Sequence, residues 1–234
     1  MTIREAMQAR HSVRAYTKRP IDGTVKTALE AEIDACNRES GLKIRLFLNE
    51  PNAVKGLWAS YGAFENADNY LALIGPDTDD LYERCGYFGE RLVLFAETLG
   101  LNTCWVAGSY KKGRVRKLLE KGEALAAIIS IGYGAKPGHA HRSKSFEQVT
   151  ETDGEIPDWF RDGVEAALLA PTAINQQRFR FLLKDGEASA KALKGPYSNI
   201  DLGIVKYHFE IGSGRKLSVG TTCRQTTNSS DNGC

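Results

Sequence analysis

The sequence predicts an α+β fold, a mixed β-sheet flanked by helices, with two unequal repeats in one chain. Segments with the helical spacing of apolar residues alternate with short segments of strand-like alternation. The apolar segment 124–132 indicates a strand that is buried on both faces. Residues 29–48 and 164–183 align without a gap at an offset of 135, and each combines a helix, a turn of about eight residues and a strand. We therefore predict two copies of one unit that together build a single site.

Regular elements are predicted in close succession up to residue 132. Thr24 is a suitable N-cap for the second helix, alternation predicts the first strand, and a Gly-Pro pair ends the next strand. Apolar residues such as Leu92 and Leu99 share one face of a long helix that ends at Gly100. The predicted elements are helix 2–10, helix 25–36, strand 43–48, a loop and short helix at 51–65, strand 69–75, helix 79–99, strand 102–107, helix 111–120 and strand 124–132.

The rest of the chain is predicted to hold a shorter second copy. Residues 133–158 are rich in Gly, Lys, His and Pro and are interpreted as a linker. The elements that follow are helix 157–169, turn 170–177, strand 178–183 and a helix near 201–210. The polar end of the chain is predicted to be disordered. The predicted division is 1–145 for the first half, 146–213 for the truncated second half and 214–234 for the tail.

The composition is typical of an ordinary globular protein and argues against several classes of protein. The 234 residues are 42% hydrophobic and 26% charged, with a formal net charge of +2. This charge gives no reason to expect nucleic acid or membrane partners, and no apolar run approaches the ~20 residues of a membrane span. The amphipathic N-terminus carries Glu5 and lacks the pattern of a signal peptide, so a cytoplasmic protein is expected.

The cysteines argue against a disulfide framework and against a zinc site. Their number is odd and no pair has CxxC spacing, so reduced thiols are expected. Cys104 is expected to be a buried apolar side chain rather than a nucleophile, because no basic partner is visible near it in the sequence. The five residues are Cys36, Cys85, Cys104, Cys223 and Cys234.

Basic residues form two clusters that suit a phosphate group. Residues 10–14, Arg-His-Ser-Val-Arg, place two guanidinium groups, an imidazole and a hydroxyl at a helix end, and guanidinium groups bind phosphate bidentately. Arg142, Ser143 and Lys144 form the second cluster. This cluster becomes a stronger candidate for phosphate binding only if the fold brings it beside Arg10. A solvated basic surface is the alternative for both clusters, and the residues themselves leave it open.

Two further segments allow both a structural and a functional interpretation. Residues 102–108 form a strand that enters a glycine turn, where small residues let a flat ligand approach the backbone. A strand that ends at a surface loop is the alternative. Residues 171–177 form a polar turn that turn chemistry alone explains. A site is favoured there because the aligned residues 36–42 carry a wholly different turn on the same framework.

The chain shows no pattern of a side-chain catalyst. It lacks the Ser-His-Asp, HExxH, Walker and GxGxxG patterns, and His11 is the only one of its four histidines that lies inside a motif. Such a sequence suits a protein whose cofactor performs the chemistry. We therefore predict no catalytic side chain and no metal ligand.

Together these residues resemble the FMN-dependent nitroreductase family. Four motifs within residues 3–213 carry the resemblance, and they imply a nitroreductase-like fold. They are the basic turn 10–16, the Ala-Pro-Thr-Ala-Ile-Asn-Gln-Gln segment 170–177, the helix end and strand 95–108, and Gly132-Tyr133 with the basic pair Arg142 and Lys144.

The order of the motifs departs from the family's usual order. The segment at 170–177 usually follows soon after the N-terminal basic turn, and residues 36–42 occupy that place here. This order resembles a subgroup of nitroreductases in which a truncated second copy is fused to the first. The resemblance then implies a pseudo-dimer that holds one FMN between its halves, as a monomer or a weak homodimer.

The resemblance also implies roles for individual residues. The two basic clusters would hold the FMN phosphate with His11 beside it, and Arg14 would face the pyrimidine edge of the flavin. The backbone after Val106 would approach the flavin near N5, and the second copy would supply the 171–177 turn. The set implied for FMN binding is Arg10, His11, Ser12, Arg14, Val106, Ala107, Gly108, Arg142, Lys144, Pro171, Thr172, Ala173, Asn175 and Gln177.

The activity implied is that of an FMN oxidoreductase. It would take hydride from NAD(P)H and reduce a small acceptor such as a nitroaromatic or a quinone. A non-catalytic flavin-binding or sensor protein of the same fold is the alternative. Arg178 and Phe179 stand where the family usually has Pro and Trp, and the loss of those contacts would favour the alternative. The sequence does not indicate the physiological acceptor or the preferred nicotinamide.

Overall fold

An antiparallel four-stranded sheet organises the first half of the chain. The computed structural model describes residues 1–50, 64–106 and 119–219. The strands pair in the order β1-β2-β4-β3, and the prediction of a buried strand at 124–132 is confirmed, since residues 126–132 are all buried. The strands are β1 (Arg45–Phe47), β2 (Tyr70–Pro76), β3 (Asn102–Val106) and β4 (Glu123–Gly132).

Three described helices accompany this sheet, namely α1 (Ile3–Ala9), α2 (Gly23–Ser40) and α3 (Leu81–Thr98). A capping box begins α1, because the Thr2 side chain accepts from the Glu5 amide and the Glu5 carboxylate accepts from the Thr2 amide. The predicted end of α2 at residue 36 is wrong. This helix continues to Ser40 and stops at Gly41, which has a φ of 69°.

The second half contains a smaller mixed sheet. Its strands pair in the order β5-β6-β7, with β5 parallel to β6 and β7 antiparallel to it. The predicted linker 133–158 is wrong in part, because a short helix and β5 lie inside it. The elements are α4 (Phe146–Val149), β5 (Thr150–Thr152), α5 (Asp158–Ala167), β6 (Phe179–Lys184), β7 (Glu187–Ala192) and α6 (Ser198–Ser213).

Helix α6 joins the two halves by packing on both α3 and α5. Gly203 lies directly against α3, where a Cβ would collide with the Glu83 carbonyl oxygen and lie 2.6 Å from the Tyr87 amide nitrogen. A buried ion pair between Lys206 and Glu83 joins the same two helices. On its other side, Phe209 stacks on Phe181 of β6 with ring centroids 4.9 Å apart. The halves therefore share one core.

The chain beyond α6 begins by packing against this core. The Lys206 ammonium group donates to the Ser218 carbonyl oxygen over 2.6 Å, and the Arg215 guanidinium lies 3.9 Å from the ring centre of Trp159. A buried ammonium group requires acceptors, and the chain beyond α6 supplies one. The disordered tail at 214–234 stays a prediction. Residues 220–234 lie outside the described residues.

Two predicted elements lie wholly or mainly outside the described residues, namely the loop and short helix at 51–65 and the helix at 111–120. Within the described ranges, no helix combines the length and the apolarity that a membrane crossing needs. Cys36, Cys85 and Cys104 are buried free thiols.

Candidate functional site

A cavity of about 710 Å³ lies between the two halves of the chain. This volume falls within the roughly 300–1,000 Å³ of typical small-molecule sites. The basic turn 10–14 forms one wall, and the turn 171–175 with the start of α6 forms another. Residues 136–141 line the cavity as well. The prediction that the two copies contribute to one site agrees with this arrangement, although the repeat itself stays a prediction.

The basic turn is held in place by backbone hydrogen bonds to its neighbours. The Val13 amide donates to the Thr103 carbonyl of β3 over 3.0 Å, and the Ala135 amide donates to the Ala15 carbonyl over 2.8 Å. The Tyr16 hydroxyl donates to the Val13 carbonyl over 2.7 Å. Arg10 is only 4% exposed. The alternative of a solvated basic turn is therefore wrong for Arg10.

Glycines allow the segment 132–138 to lie directly against this turn. A Cβ at Gly138 would stand 2.5 Å from the His11 Cβ and 3.0 Å from the Ser12 carbonyl oxygen. A Cβ at Gly132 would stand 2.9 Å from the Tyr16 ring. Any larger residue would push the segment away from the turn and change the shape of the cavity.

Two guanidinium groups belong to the cavity wall. The Nε atoms of Arg10 and Arg14 are buried and have no hydrogen-bond partner among the described residues. Buried donors without partners are rare in folded proteins. Both side chains line the cavity, so this wall suits an anionic ligand. Burial and the positive charge of Arg10 lower the pKa of the neighbouring His11.

The opposite wall is a turn with an unusual backbone. Ile174, Asn175 and Gln177 have φ values of 48°, 53° and 46°, a region that costs non-glycine residues energy. Asp201 of α6 holds this turn, because its two carboxylate oxygens accept from the Ala173 amide over 2.9 Å and from the Gln176 side chain over 2.8 Å. Burial raises the pKa of Asp201 to about 6, although both hydrogen bonds act to lower it.

The second basic cluster makes hydrogen bonds to this turn. The Arg142 carbonyl accepts from the side-chain amides of Asn175 and Gln177 over 2.9 and 2.8 Å. The Lys144 ammonium group donates to the Gln177 carbonyl over 2.8 Å. Neither the Arg142 nor the Lys144 side chain is among the described residues that line the cavity. The role of this cluster in binding a phosphate stays a prediction.

The residues predicted from the sequence divide into three groups. Seven line the cavity, namely Arg10, Ser12, Arg14, Pro171, Thr172, Ala173 and Asn175. Five are described but do not line it, namely His11, Val106, Arg142, Lys144 and Gln177. Ala107 and Gly108 lie outside the described residues. Cys104 lines the cavity, and the prediction that it is a buried side chain is confirmed at 4% exposure. Burial raises the pKa of its thiol.

Sequence reasoning missed the cavity residues that come from the predicted linker and from α6. In the predicted linker, Gly138 and His139 could have been identified as candidates from the sequence, because they belong to a stretch of glycine and basic residues. Asp201 and Tyr197 had no such signal, because only the packing of α6 brings them to the cavity. With a few residues from other segments, the missed lining residues include Glu65, Trp105, Lys136, Pro137, Gly138, His139, His141, Ile174, Tyr197, Ile200, Asp201 and Ile204.

Comparison with known families identifies the class to which this fold and cavity belong. A family model described as "Putative TM nitroreductase" matches residues 2–213. The match covers most of the chain, so the chain belongs to this nitroreductase family. The resemblance drawn from the motifs is thereby confirmed at the level of the family. A search of curated protein sequences finds no match.

Solved structures show the same fold. A "putative nitroreductase" from Thermotoga maritima MSB8 superimposes with a TM-score of 0.65 at 24% identity, over 91% of this chain and 83% of that chain. A "putative nitroreductase" from Desulfovibrio desulfuricans, solved in complex with FMN, gives a TM-score of 0.52 at 20% identity, over 67% of this chain and 99% of that chain. The α+β nitroreductase-like fold with mixed sheets is therefore confirmed.

Proposed function

We propose that the protein is an FMN-dependent oxidoreductase that takes hydride from NAD(P)H and reduces a small acceptor such as a nitroaromatic or a quinone. The observation that carries the proposal is the cavity between the basic turn 10–14 and the turn 171–175, in a chain of the nitroreductase family. The FMN complex of the Desulfovibrio desulfuricans protein, which has the same fold, supports the choice of cofactor.

The residues of the cavity fit such a cofactor. A volume of about 710 Å³ is ample for a drug-sized ligand. The guanidinium charge of Arg10 and the Arg14 Nε donor, which has no hydrogen-bond partner among the described residues, match a ligand that carries negative charge. Arg10 and Ser12 would hold the phosphate, and Arg14 would hold the flavin. Pro171, Thr172, Ala173 and Asn175 would close the other side.

When bound, FMN supplies the hydride chemistry, and the chain supplies position and environment. The fixed guanidinium group of Arg14 stabilises negative charge that develops in the cavity. Ile200 and Ile204 line the same space and limit the access of water to it. Arg142, Lys144 and Gln177 act indirectly, because they hold the turn to which Asn175 belongs.

The same proposal includes the organisation of the chain as a pseudo-dimer. Residues 1–145 would form one half and residues 146–213 a truncated second half that completes the site, as a monomer or a weak homodimer. The contribution of both parts of the chain to one cavity supports this division. Val106, Ala107 and Gly108 would adjoin the flavin, and His11 would lie beside the phosphate.

The visible spectrum of the purified protein tests the proposal directly. We expect flavin bands that bleach when NADH or NADPH is added without oxygen. Arg14→Ala should lower both the flavin content and the rate of bleaching, because it removes a half-buried guanidinium from the cavity wall. Arg38→Ala is the matched control, since Arg38 is exposed on α2 and does not line the cavity. A colourless protein that takes up no added FMN contradicts the proposal.

The non-catalytic alternative gains no support from the two substituted family positions. The Arg178 side chain donates to the Lys194 carbonyl over 2.6 Å. Phe179 is 1% exposed and its ring centre lies 5.7 Å from that of Phe181. Both residues therefore make structural contacts within or beside the second sheet. A yellow protein that neither nicotinamide can bleach would favour the flavin-binding alternative over the enzyme.

A further inference from the structure

Behind the cavity wall, three polar side chains meet at one buried carboxylate. Glu90 of α3 and His208 of α6 are both 0% exposed. The Trp105 indole nitrogen donates to Glu90 Oε2 over 2.8 Å, and His208 Nε2 lies 2.9 Å from Glu90 Oε1. Arg10 Nε is 3.9 Å from the same oxygen. Arg10 and Trp105 also line the cavity, so this cluster connects the core with the site.

The hydrogen bonds of His208 determine how many protons the cluster holds. His208 Nδ1 lies 3.1 Å from the Ala166 carbonyl oxygen, which can only accept, so Nδ1 carries a proton. A neutral imidazole has one N–H, and an ionised carboxylate has none. The contact between Nε2 and Glu90 therefore requires a second proton, on one partner or the other.

The surroundings of Glu90 assign this second proton to the histidine. The carboxylate accepts from the Trp105 N–H and faces the guanidinium of Arg10, and both contacts favour the ionised form of the carboxylate. We infer that His208 is an imidazolium paired with Glu90, and that the two act as positioning residues for Arg10 and Trp105 in the cavity wall.

The charges of the cluster add to one positive charge. Arg10 and His208 each contribute +1 and Glu90 contributes −1. Glu97, two turns further along α3, also interacts with Arg10, and burial raises the pKa of its carboxyl while Arg10 acts to lower it. A charge in a poorly solvated interior acts on its surroundings more strongly than one in water. The cluster therefore favours an anionic ligand in the cavity, an effect that rests on the proposed function.

The protonation of His208 can be observed without any ligand. Long-range ¹⁵N–¹H spectra of the whole labelled protein at neutral pH report which imidazole nitrogens carry a proton, and loss of the signals in His208→Gln assigns them. We expect both nitrogens of His208 to be protonated. A neutral ring with one protonated nitrogen overturns the inference, whatever the protein binds.

A second experiment measures the effect of the charge on the cavity, with FMN as the probe. His208→Gln retains a side-chain amide but removes the positive charge. We expect its FMN affinity to fall about tenfold, because one positive charge behind the cavity wall is lost. Phe209→Leu, at the neighbouring buried position, is the control for lost packing and should change the affinity less than threefold.

The outcomes separate the inference from the proposed function. Equal losses of FMN affinity in His208→Gln and Phe209→Leu overturn the positioning role, since packing alone then explains both. If the unaltered protein takes up no FMN, the proposed function fails, and the imidazole spectra decide the inference by themselves.

Discussion

Replacing Asp201 with Asn removes a buried negative charge from the cavity wall. Asp201 is 2% exposed, and its carboxylate accepts hydrogen bonds from the Ala173 amide and the Gln176 side chain. Burial raises its pKa from 3.8 to about 6 despite these two bonds. The folded protein therefore binds a proton at Asp201 more tightly than the unfolded chain does.

Linkage converts this difference into a free energy of unfolding that depends on pH. The two pKa values differ by about 2, which corresponds to about 3 kcal/mol. Because the folded-state pKa is the higher one, the favourable contribution of Asp201 is complete below about pH 4 and is lost as the pH rises through about 6. Above that range the folded protein bears the full cost of a buried carboxylate. Asn cannot ionise, so Asp201→Asn loses this dependence and retains only a constant cost from one mismatched hydrogen bond.

Urea unfolding of both proteins from about pH 4 to pH 7 measures the effect. The free energy of unfolding of Asp201→Asn, relative to the unaltered protein, should rise by about 3 kcal/mol across this range. Taking the difference cancels the contributions of the other titrating groups. Asp34→Asn, on the exposed face of α2, is the control, and its free energy of unfolding should change with pH in parallel with that of the unaltered protein. A constant difference between Asp201→Asn and the unaltered protein would refute the assigned pKa.

Three further substitutions test the packing and the strain by urea unfolding. Gly203→Ala places a methyl group against the Glu83 carbonyl and should cost about 3 kcal/mol; a negligible cost would mean that α3 and α6 separate freely. Ile174→Asn should stabilise the protein by about 1 kcal/mol, because Ile174 is 64% exposed with a φ of 48°, which Asn adopts more readily; no gain would argue against strain. Lys206→Met leaves Glu83 without its ion-pair partner and should cost about 3 kcal/mol. Adding Glu83→Leu to this variant should restore most of the lost stability, and additive losses from the two substitutions would contradict the coupling of the pair.

The fold could be predicted where a local pattern determined the element. The long helix α3 has apolar residues at helical spacing and the buried strand β4 is a continuous apolar run, and both were predicted within two residues of their ends. Strand β7 was missed, because the sequence Glu-Ala-Ser-Ala-Lys-Ala favours a helix by propensity. A signal did exist: Asp185 and Gly186 both have positive φ and form the two-residue turn that joins β6 to β7.

The site could be predicted only where its residues lie in motifs. The turns at 10–14 and 171–175 were found because unusual residue types are concentrated there. Glu90 and His208 were not, since each is an isolated polar residue in a helix, 118 positions apart, and only the packing of α6 on α3 brings them together. Lys144 was predicted from its basic character alone, and its ammonium group donates to the Gln177 carbonyl, a contact that the sequence does not indicate.

Two segments that align in the sequence form a cavity wall in one place and a plain helix in the other. Residues 36–40 continue α2, whereas the aligned residues 171–175 leave the helix and turn toward the cavity. Cys36 retains the backbone N–H and the conformational freedom that a helix needs, while Pro171 lacks the N–H and disfavours the helical conformation of Ala170 before it. The chain freed from the helix then reaches Asp201, whose carboxylate holds it in a strained turn. One proline and one buried carboxylate together account for the difference between the two turns.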